Sequence, residues 1–418
     1  MAEIRPFRCI RPNKEVASKV AALPYDVYNR QEAKKEVEKN SLSFLAVDRA
    51  ETQFLDDVDL HDPIVYAKAK EILEQWQREG ILVSDETECY YVYELTMDGR
   101  SQTGIVACAA VDDYMNGVIK KHENTREDKE QDRICHVDVT DAHTGPIFLA
   151  YRSDEELNRI VVEVCGQEAL YNFTAEDGIR HRVWKVAEGW TGQIQERFCQ
   201  MAAVYIADGH HRAASAVKVG RKRRAENPGY TGKEPFNYFL SVLFPDDQLM
   251  IMPYNRVVKD LNGRTAEEFL EKVSEKCRIK NLDKTAETKT VDGQPTERHH
   301  IGMYLAGQWY KLEFLSEYLT EDPVKGLDVS LLQDNLLAPV LGIGDPRTDE
   351  RIQFVGGIRG LAELERLVDD GEGAVAFAMY PTSIQELFSV ADAGLLMPPK
   401  STWFEPKLRS GLFIHKLS

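Results

Sequence analysis

The sequence predicts an α+β fold with mixed or antiparallel sheets. Three pairs of β-branched or aromatic runs face each other across short turn formers, and six stretches carry a helical apolar period, so neither element type dominates. The paired runs are 88–97 with 101–111 about Asp98-Gly99, 237–244 with 249–258 about Pro245-Asp246-Asp247, and 299–306 with 309–315 about Gly307. Each reads as a hairpin, and no βαβ unit is predicted. The helical period falls in 30–40, 62–79, 153–166, 190–202, 211–220 and 361–369. Asp62 is the expected N-cap of the second helix and Pro63 its first residue, where a missing N–H costs nothing.

Two polar stretches, 221–235 and 284–299, lack an apolar period and read as linkers or surface loops. The expected division is an N-terminal α+β unit at 1–105, a central unit at 106–220 and a C-terminal α+β unit at 221–418.

The 418 residues suffice for two or three domains, and 43% hydrophobic content with 27 Gly and 17 Pro is globular rather than disordered or repetitive. Sixty-nine acidic against 52 basic residues give a net charge of -17, which opposes general binding to a phosphate backbone. No apolar run approaches the ~20 residues of a membrane span, and Met1–Glu15 has no apolar signal region. The expected protein is cytoplasmic, binds neither nucleic acid nor membrane, and works on small molecules, with a homodimer as a compatible assembly. Its seven cysteines are scattered without a CxxC pair and read as reduced thiols. Cys135, followed by His136, keeps a nucleophilic alternative open.

The sharpest chemical signal is Val204 to Ala216. An apolar run leads into Asp208, Gly209, His210, His211 and Arg212 and then into an alanine-rich helix. The free N–H groups of a helix start favour an anion, Gly209 lets the backbone approach it, and Arg212 offers a fork for phosphate oxygens. The plain alternative is that Asp208 only caps the helix.

A second signal is Lys120, Lys121, His122, Glu123, Asn124, Thr125 and Arg126, with Arg133 downstream. A carboxylate among basic neighbours stays ionised and accepts a proton from a hydroxyl, so Glu123 is the candidate base; a solvated charge-mixed helix start is the alternative. The third signal, Met397 to Gly411, supplies Lys400, Ser401 and Arg409, all suited to holding an anion. An aromatic terminal strand reads equally well there. P-loop, kinase glycine-loop and dinucleotide fingerprints are absent, so a nucleotide has to be held another way.

These segments carry a family resemblance. Pro24-Tyr25-Asp26-Val27, Lys121-His122-Glu123-Asn124-Thr125, Asp208-Gly209-His210-His211-Arg212 and Met397-Pro398-Pro399-Lys400-Ser401-Thr402-Trp403-Phe404-Glu405-Pro406-Lys407 resemble, in order, the motifs of the DUF1015 family, whose name records no reaction. A basic HE segment followed by a strand ending in a DGHHR-like turn is also similar to the ParB/sulfiredoxin-like fold and, within it, to free-serine kinases. That resemblance implies a phosphate-binding core in the centre of the chain. It also implies phosphoryl transfer from ATP or ADP, with Mg²⁺, to the hydroxyl of a free amino acid, first of all L-serine. Glu123, with His122 beside it, and Asp208 are then the catalytic groups, and Asp208 also holds the metal. Thr125, Gly209, His210, His211 and Arg212 bind nucleotide phosphate, and Lys400, Ser401, Arg133 or Arg409 receives the substrate. About eighty residues separate the two segments, more than in compact members. Other readings are a hydrolase with a metal on Asp208, His210, His211, His136 and His143, a ParB-like nucleotide-binding module, and a non-enzymatic small-molecule binder.

Overall fold

The computed structural model describes residues 1–282 and 293–418. They form two compact units, 1–249 with 406–418, and 250–405. The class is α+β with mixed and antiparallel sheets.

The first unit is built on a nine-stranded sheet. In chain order its strands are β1 (Ile4–Arg5), β2 (Tyr91–Met97), β3 (Arg100–Ala110), β4 (Ile119–Lys120), β5 (Ile147–Tyr151), β6 (Tyr171–Thr174), β7 (Arg180–Lys185), β8 (Val204–Asp208) and β9 (Tyr238–Pro245). The spatial order is β4-β8-β5-β9-β3-β2-β7-β6, with β1 beside β3. Two neighbours are parallel, β4 with β8 and β5 with β9; the other pairs are antiparallel. All eight residues of β9 are buried, as a strand covered on both faces requires. Val204, Ile206, Leu149, Phe239 and Leu243 join one apolar core, where each such side chain contributes about 1.5–3 kcal/mol on burial.

The longer helices of this unit are α1 (Arg30–Lys39), α2 (Pro63–Arg78), α3 (Glu127–Thr140), α4 (Glu155–Cys165), α5 (Thr191–Gln200) and α6 (His210–Glu226). The Asp62 side chain caps α2 by accepting from the Ile64 N–H at 3.0 Å. Val65, Ala69, Ile72, Leu73 and Trp76 form its buried stripe at helical spacing. A small sheet places the strand Ile414–Lys416 between Cys9–Pro12 and Ala142–His143, which returns the C-terminal residues to the first unit. Gly411 permits that return: its φ is +81°, and a Cβ there would stand 2.4 Å from the Phe44 ring.

The second unit has a six-stranded antiparallel sheet. Its strands are β10 (Tyr254–Val258), β11 (Cys277–Leu282), β12 (His300–Leu305), β13 (Gln308–Phe314), β14 (Ile352–Gly356) and β15 (Val375–Ala378). Helices Ala266–Ser274, Gly360–Asp369 and Ile384–Asp392 accompany them.

All six expected helices form, and two of the three hairpins do, β2–β3 and β12–β13. The hairpin about Pro245 does not. β9 is claimed by β3 and β5 in the first unit and β10 by β14 and β15 in the second, and Pro245 and Pro253 interrupt the run between them. The three-part division also changes. β3 crosses the boundary drawn at 105, and β9, beyond 220, is an inner strand of the same sheet. Likewise 221–226 is the end of α6 rather than linker, because the basic run RKRRAE propagates helix well. Of the other expected linker, 284–292 lie outside the described residues.

Among the described residues no helix is long and apolar enough to cross a membrane. The cysteines are all free thiols, and Cys9, Cys89, Cys108 and Cys277 are buried.

Candidate functional site

Two strand ends create the site. β4 and β8 run parallel in the register Ile119↔Val204 and Lys120↔Tyr205, so the segments that follow them emerge side by side. One is the loop Lys121–Arg126 leading into α3; the other is Asp208-Gly209 leading into α6. In an open sheet this end of parallel strands is where ligands are received.

The N-cap of α6 is Gly209 rather than Asp208, in the left-handed conformation with φ 91° and ψ 33°, and no side-chain cap bond closes the helix end. The first-turn N–H groups of this 17-residue helix are therefore not spent on a side-chain cap. The φ of +91° favours glycine, and a Cβ there, 3.0 Å from the Arg212 guanidinium, would push that fork aside.

Asp208 lies between two cations, Arg212 at 3.5 Å and Lys407 at 3.6 Å. Burial works to raise its carboxyl, but Lys407, Arg212 and His210 outweigh it and hold the group at about 2. The Arg212 guanidinium also donates to the Pro146 carbonyl at 2.6 Å. Its fork is thus fixed by β5's approach on one side and by Asp208 on the other.

The HE segment meets α6 through its histidines. The His122 and His210 rings lie 4.5 Å apart, edge to face, and His210 Nδ1 is 3.8 Å from Glu123 Oε2. Burial holds His122 at about 4 and pushes His210 well below the usual histidine value, with His122 adding to the latter effect, so both rings are neutral at pH 7. The Glu123 carboxylate keeps 40% of its side-chain surface.

The other expected phosphate ligands are partly occupied. His211 Nε2 accepts from the Arg126 backbone N–H at 3.0 Å and so ties α6 to the HE loop. Thr125 donates its hydroxyl to Glu130, which also pairs with Lys218 of α6.

A cleft in the same unit is lined by Tyr25, Asp48, Arg133, Thr144, Arg212 and Ser410, among others. Arg133 is buried, stacks its guanidinium 4.0 Å over the Tyr25 ring and pairs with Asp132 at 2.7 Å. The Thr144 hydroxyl donates to Asp48 at 2.7 Å. Arg212 therefore belongs both to the DGHHR turn and to this cleft.

Arg133 thus stands where an anionic substrate group could be received, while Arg409 does not. Its Nε donates to His181 Nε2 at 3.2 Å and its fork pairs with Asp177. Lys400 and Ser401 make their contacts inside the second unit: Lys400 Nζ lies 5.6 Å over the Tyr254 ring and the Ser401 hydroxyl donates to the Pro398 carbonyl at 2.6 Å. The five-residue metal set is not assembled either. His136 bonds the Val47 carbonyl at 3.1 Å, His143 stacks on His415, and among the described residues the group brought within reach of one ion is His122, Glu123 and His210.

Lys407, Tyr25, Asp48, Thr144 and Ser410 were not among the expected site residues. Tyr25 and Lys407 stood inside the quoted motifs, so a signal was present for both. Asp48 closes an otherwise apolar buried turn, Leu45–Asp48, and an acid ending such a run is itself a signal.

The DUF1015 family model, described as a protein of unknown function, matches residues 4–330. The chain belongs to that family. No curated protein matches it in sequence. Among solved structures, this DUF1015 chain is similar to a free serine kinase mutant in complex with AMP, at 16% identity and a TM-score of 0.35, covering 74% of this chain and 92% of that one. It is also similar to a C-terminally truncated SbnI from Staphylococcus aureus, at 12% identity and a TM-score of 0.39, covering 74% and 87%. A conserved hypothetical protein from Pyrococcus furiosus gives 15% identity, a TM-score of 0.34, and coverage of 75% and 95%.

Proposed function

We propose that this DUF1015 protein is a phosphotransferase that moves a phosphoryl group from ATP or ADP to the hydroxyl of a small free amino acid, with L-serine as the first acceptor to test. One observation carries the reading: Arg212 is shared by an uncapped helix start suited to phosphate and by a cleft holding Arg133 and Asp48. In this reading a donor phosphate and an acceptor meet at one guanidinium. This reading takes the arrangement as a ParB/sulfiredoxin-like phosphate-binding core.

In this mechanism the N–H groups at the start of α6 and the fork of Arg212 bind the nucleotide phosphates, and Lys407 adds a second positive charge. Asp208, ionised and partly open to solvent, fits a magnesium ion, which prefers carboxylate oxygen and the phosphates themselves. When bound, that ion would supply charge to the transferring phosphoryl oxygens. Arg133 receives the acceptor carboxylate and Asp48 its ammonium, a pairing that selects a zwitterion over a simple alcohol. Glu123 takes the hydroxyl proton as the phosphoryl group arrives. The neutral His210 ring, 3.8 Å from Glu123, places no competing positive charge beside the base. Phosphoryl transfer asks the protein chiefly for positioning and charge, and those are what these residues provide.

The test is incubation of the purified chain with ATP or ADP, Mg²⁺ and single amino acids, followed by mass spectrometry. Phosphoserine, or another amino acid phosphate ester, is the expected product. Nucleotide hydrolysis without ester formation at every acceptor would reject the reading.

A further inference from the structure

We propose that His122, Glu123 and His210 also form a binding site for one divalent transition-metal ion of the zinc, cobalt or nickel class. One ligand atom from each lies within 4.8 Å of the others. The three come from two separate segments, the HE loop and the first turn of α6, and the β4–β8 register holds them together.

A second observation points to a ligand. His122 is 2% exposed, and apart from a weak approach to the Ile206 backbone its ring nitrogens have no well-formed hydrogen bond among the described residues. Leaving a buried polar atom unsatisfied is costly and asks for an explanation. The neighbouring ring offers none, since His122 and His210 meet edge to face with centroids 4.5 Å apart. His210 Nδ1 and Glu123 Oε2, at 3.8 Å, stand beyond hydrogen-bond reach.

An ion fills these gaps. Metal–nitrogen and metal–oxygen bonds of about 2.0–2.2 Å place tetrahedral ligand atoms roughly 3.5 Å apart, so closure from within 4.8 Å asks for side-chain torsions and a small shift of the HE loop. Two imidazoles with one carboxylate suit zinc, cobalt or nickel and not magnesium, which separates this site from any ion held with nucleotide phosphate. His210 binding through Nδ1 carries its proton on Nε2, so the His122 backbone N–H, now 3.5 Å from Nε2, has to move away on loading.

One consequence rests on the phosphotransferase reading. A bound transition metal takes the Glu123 carboxylate out of proton transfer, so zinc acts as an inhibitor that competes for the base. The binding itself does not depend on that reading.

The experiment titrates the full-length, EDTA-treated protein with Co²⁺, followed by visible absorption, and displaces it with Zn²⁺. The expected result is one ion per chain. Glu123→Gln and His210→Gln should each weaken it at least 10-fold while circular dichroism is unchanged. His122→Ala should do the same, and if that buried substitution prevents folding, the other two variants decide. No saturable binding, or affinity unchanged in Glu123→Gln and His210→Gln, overturns the site. Phosphate-ester formation without metal binding rejects this inference alone, and metal binding without any ester formation rejects the phosphotransferase reading alone.

Discussion

Replacing Lys407 by Met keeps the length of its stem and removes one of the two cations beside Asp208. At 3.6 Å the Coulomb attraction is about 1 kcal/mol at the dielectric of water and about 4–5 kcal/mol at an effective value near 20. Asp208 keeps 37% of its side-chain surface, so solvent screening places the effect near the lower limit. The carboxyl, held at about 2 in the native protein, should then rise by roughly one unit. It remains fully ionised at pH 7. Any loss of nucleotide affinity at that pH therefore reports the missing cation and not a neutralised Asp208. One charge-assisted contact is worth about 1.5–3 kcal/mol, or roughly 10–150-fold in Kd. Carbon-13 NMR of the Asp208 carboxyl measures the first effect, and calorimetry with ADP and Mg²⁺ at pH 7 the second. An unmoved titration with unchanged affinity would refute the placement of Lys407 in the phosphate site.

Gly209→Ala should cost about 1–2 kcal/mol in chemical denaturation, because its φ of 91° disfavours a Cβ that would also crowd Arg212, and nucleotide binding should weaken with it. Arg133→Leu should raise the acceptor KM at least 10-fold with little change in nucleotide affinity; an unchanged KM would remove the cleft from acceptor binding. Acid should destabilise the fold early. Burial first and Arg409 second hold His181 at about 3, and burial holds His415 at about 4, so below pH 6.5 the unfolded chain takes protons that the folded one refuses. That stability is complete above pH 6.5 and is lost as pH falls toward those folded values, about 2 kcal/mol per histidine by pH 5. Urea midpoints at pH 7 and pH 5 measure it, and equal midpoints would contradict the burial of these rings.

The local elements were legible because their signals are local. Asp62-Pro63 marks a helix start, and Asp98-Gly99 and Gly307 mark tight turns whose flanking runs have no better partner. The Pro245 hairpin was not, since the choice between a neighbour in sequence and the distant β3 and β5 depends on the whole sheet. Helix α3 was obscured by its charges: Glu130, Arg133 and His136 are buried by pairing rather than by apolar character, so no apolar stripe announces the face. At the site, the strand–turn–helix at Gly209 was readable from residue types, whereas its pairing with the HE segment came only from the family resemblance. The division of labour among cations was not. Lys400, Arg409 and Lys407 are equivalent in sequence, and only tertiary packing sends Arg409 to His181 and Asp177 and Lys407 to Asp208.

The central claim is that Glu123 accepts the hydroxyl proton beside a phosphate-binding turn. Single-turnover phosphoryl transfer from ATP or ADP to L-serine, compared between the native protein and Glu123→Gln, tests it most directly. The account predicts ester formation by the native protein, a rate about 10²–10⁴-fold lower in the variant, and nucleotide affinity retained in both. A variant that transfers phosphate at nearly the native rate would contradict it.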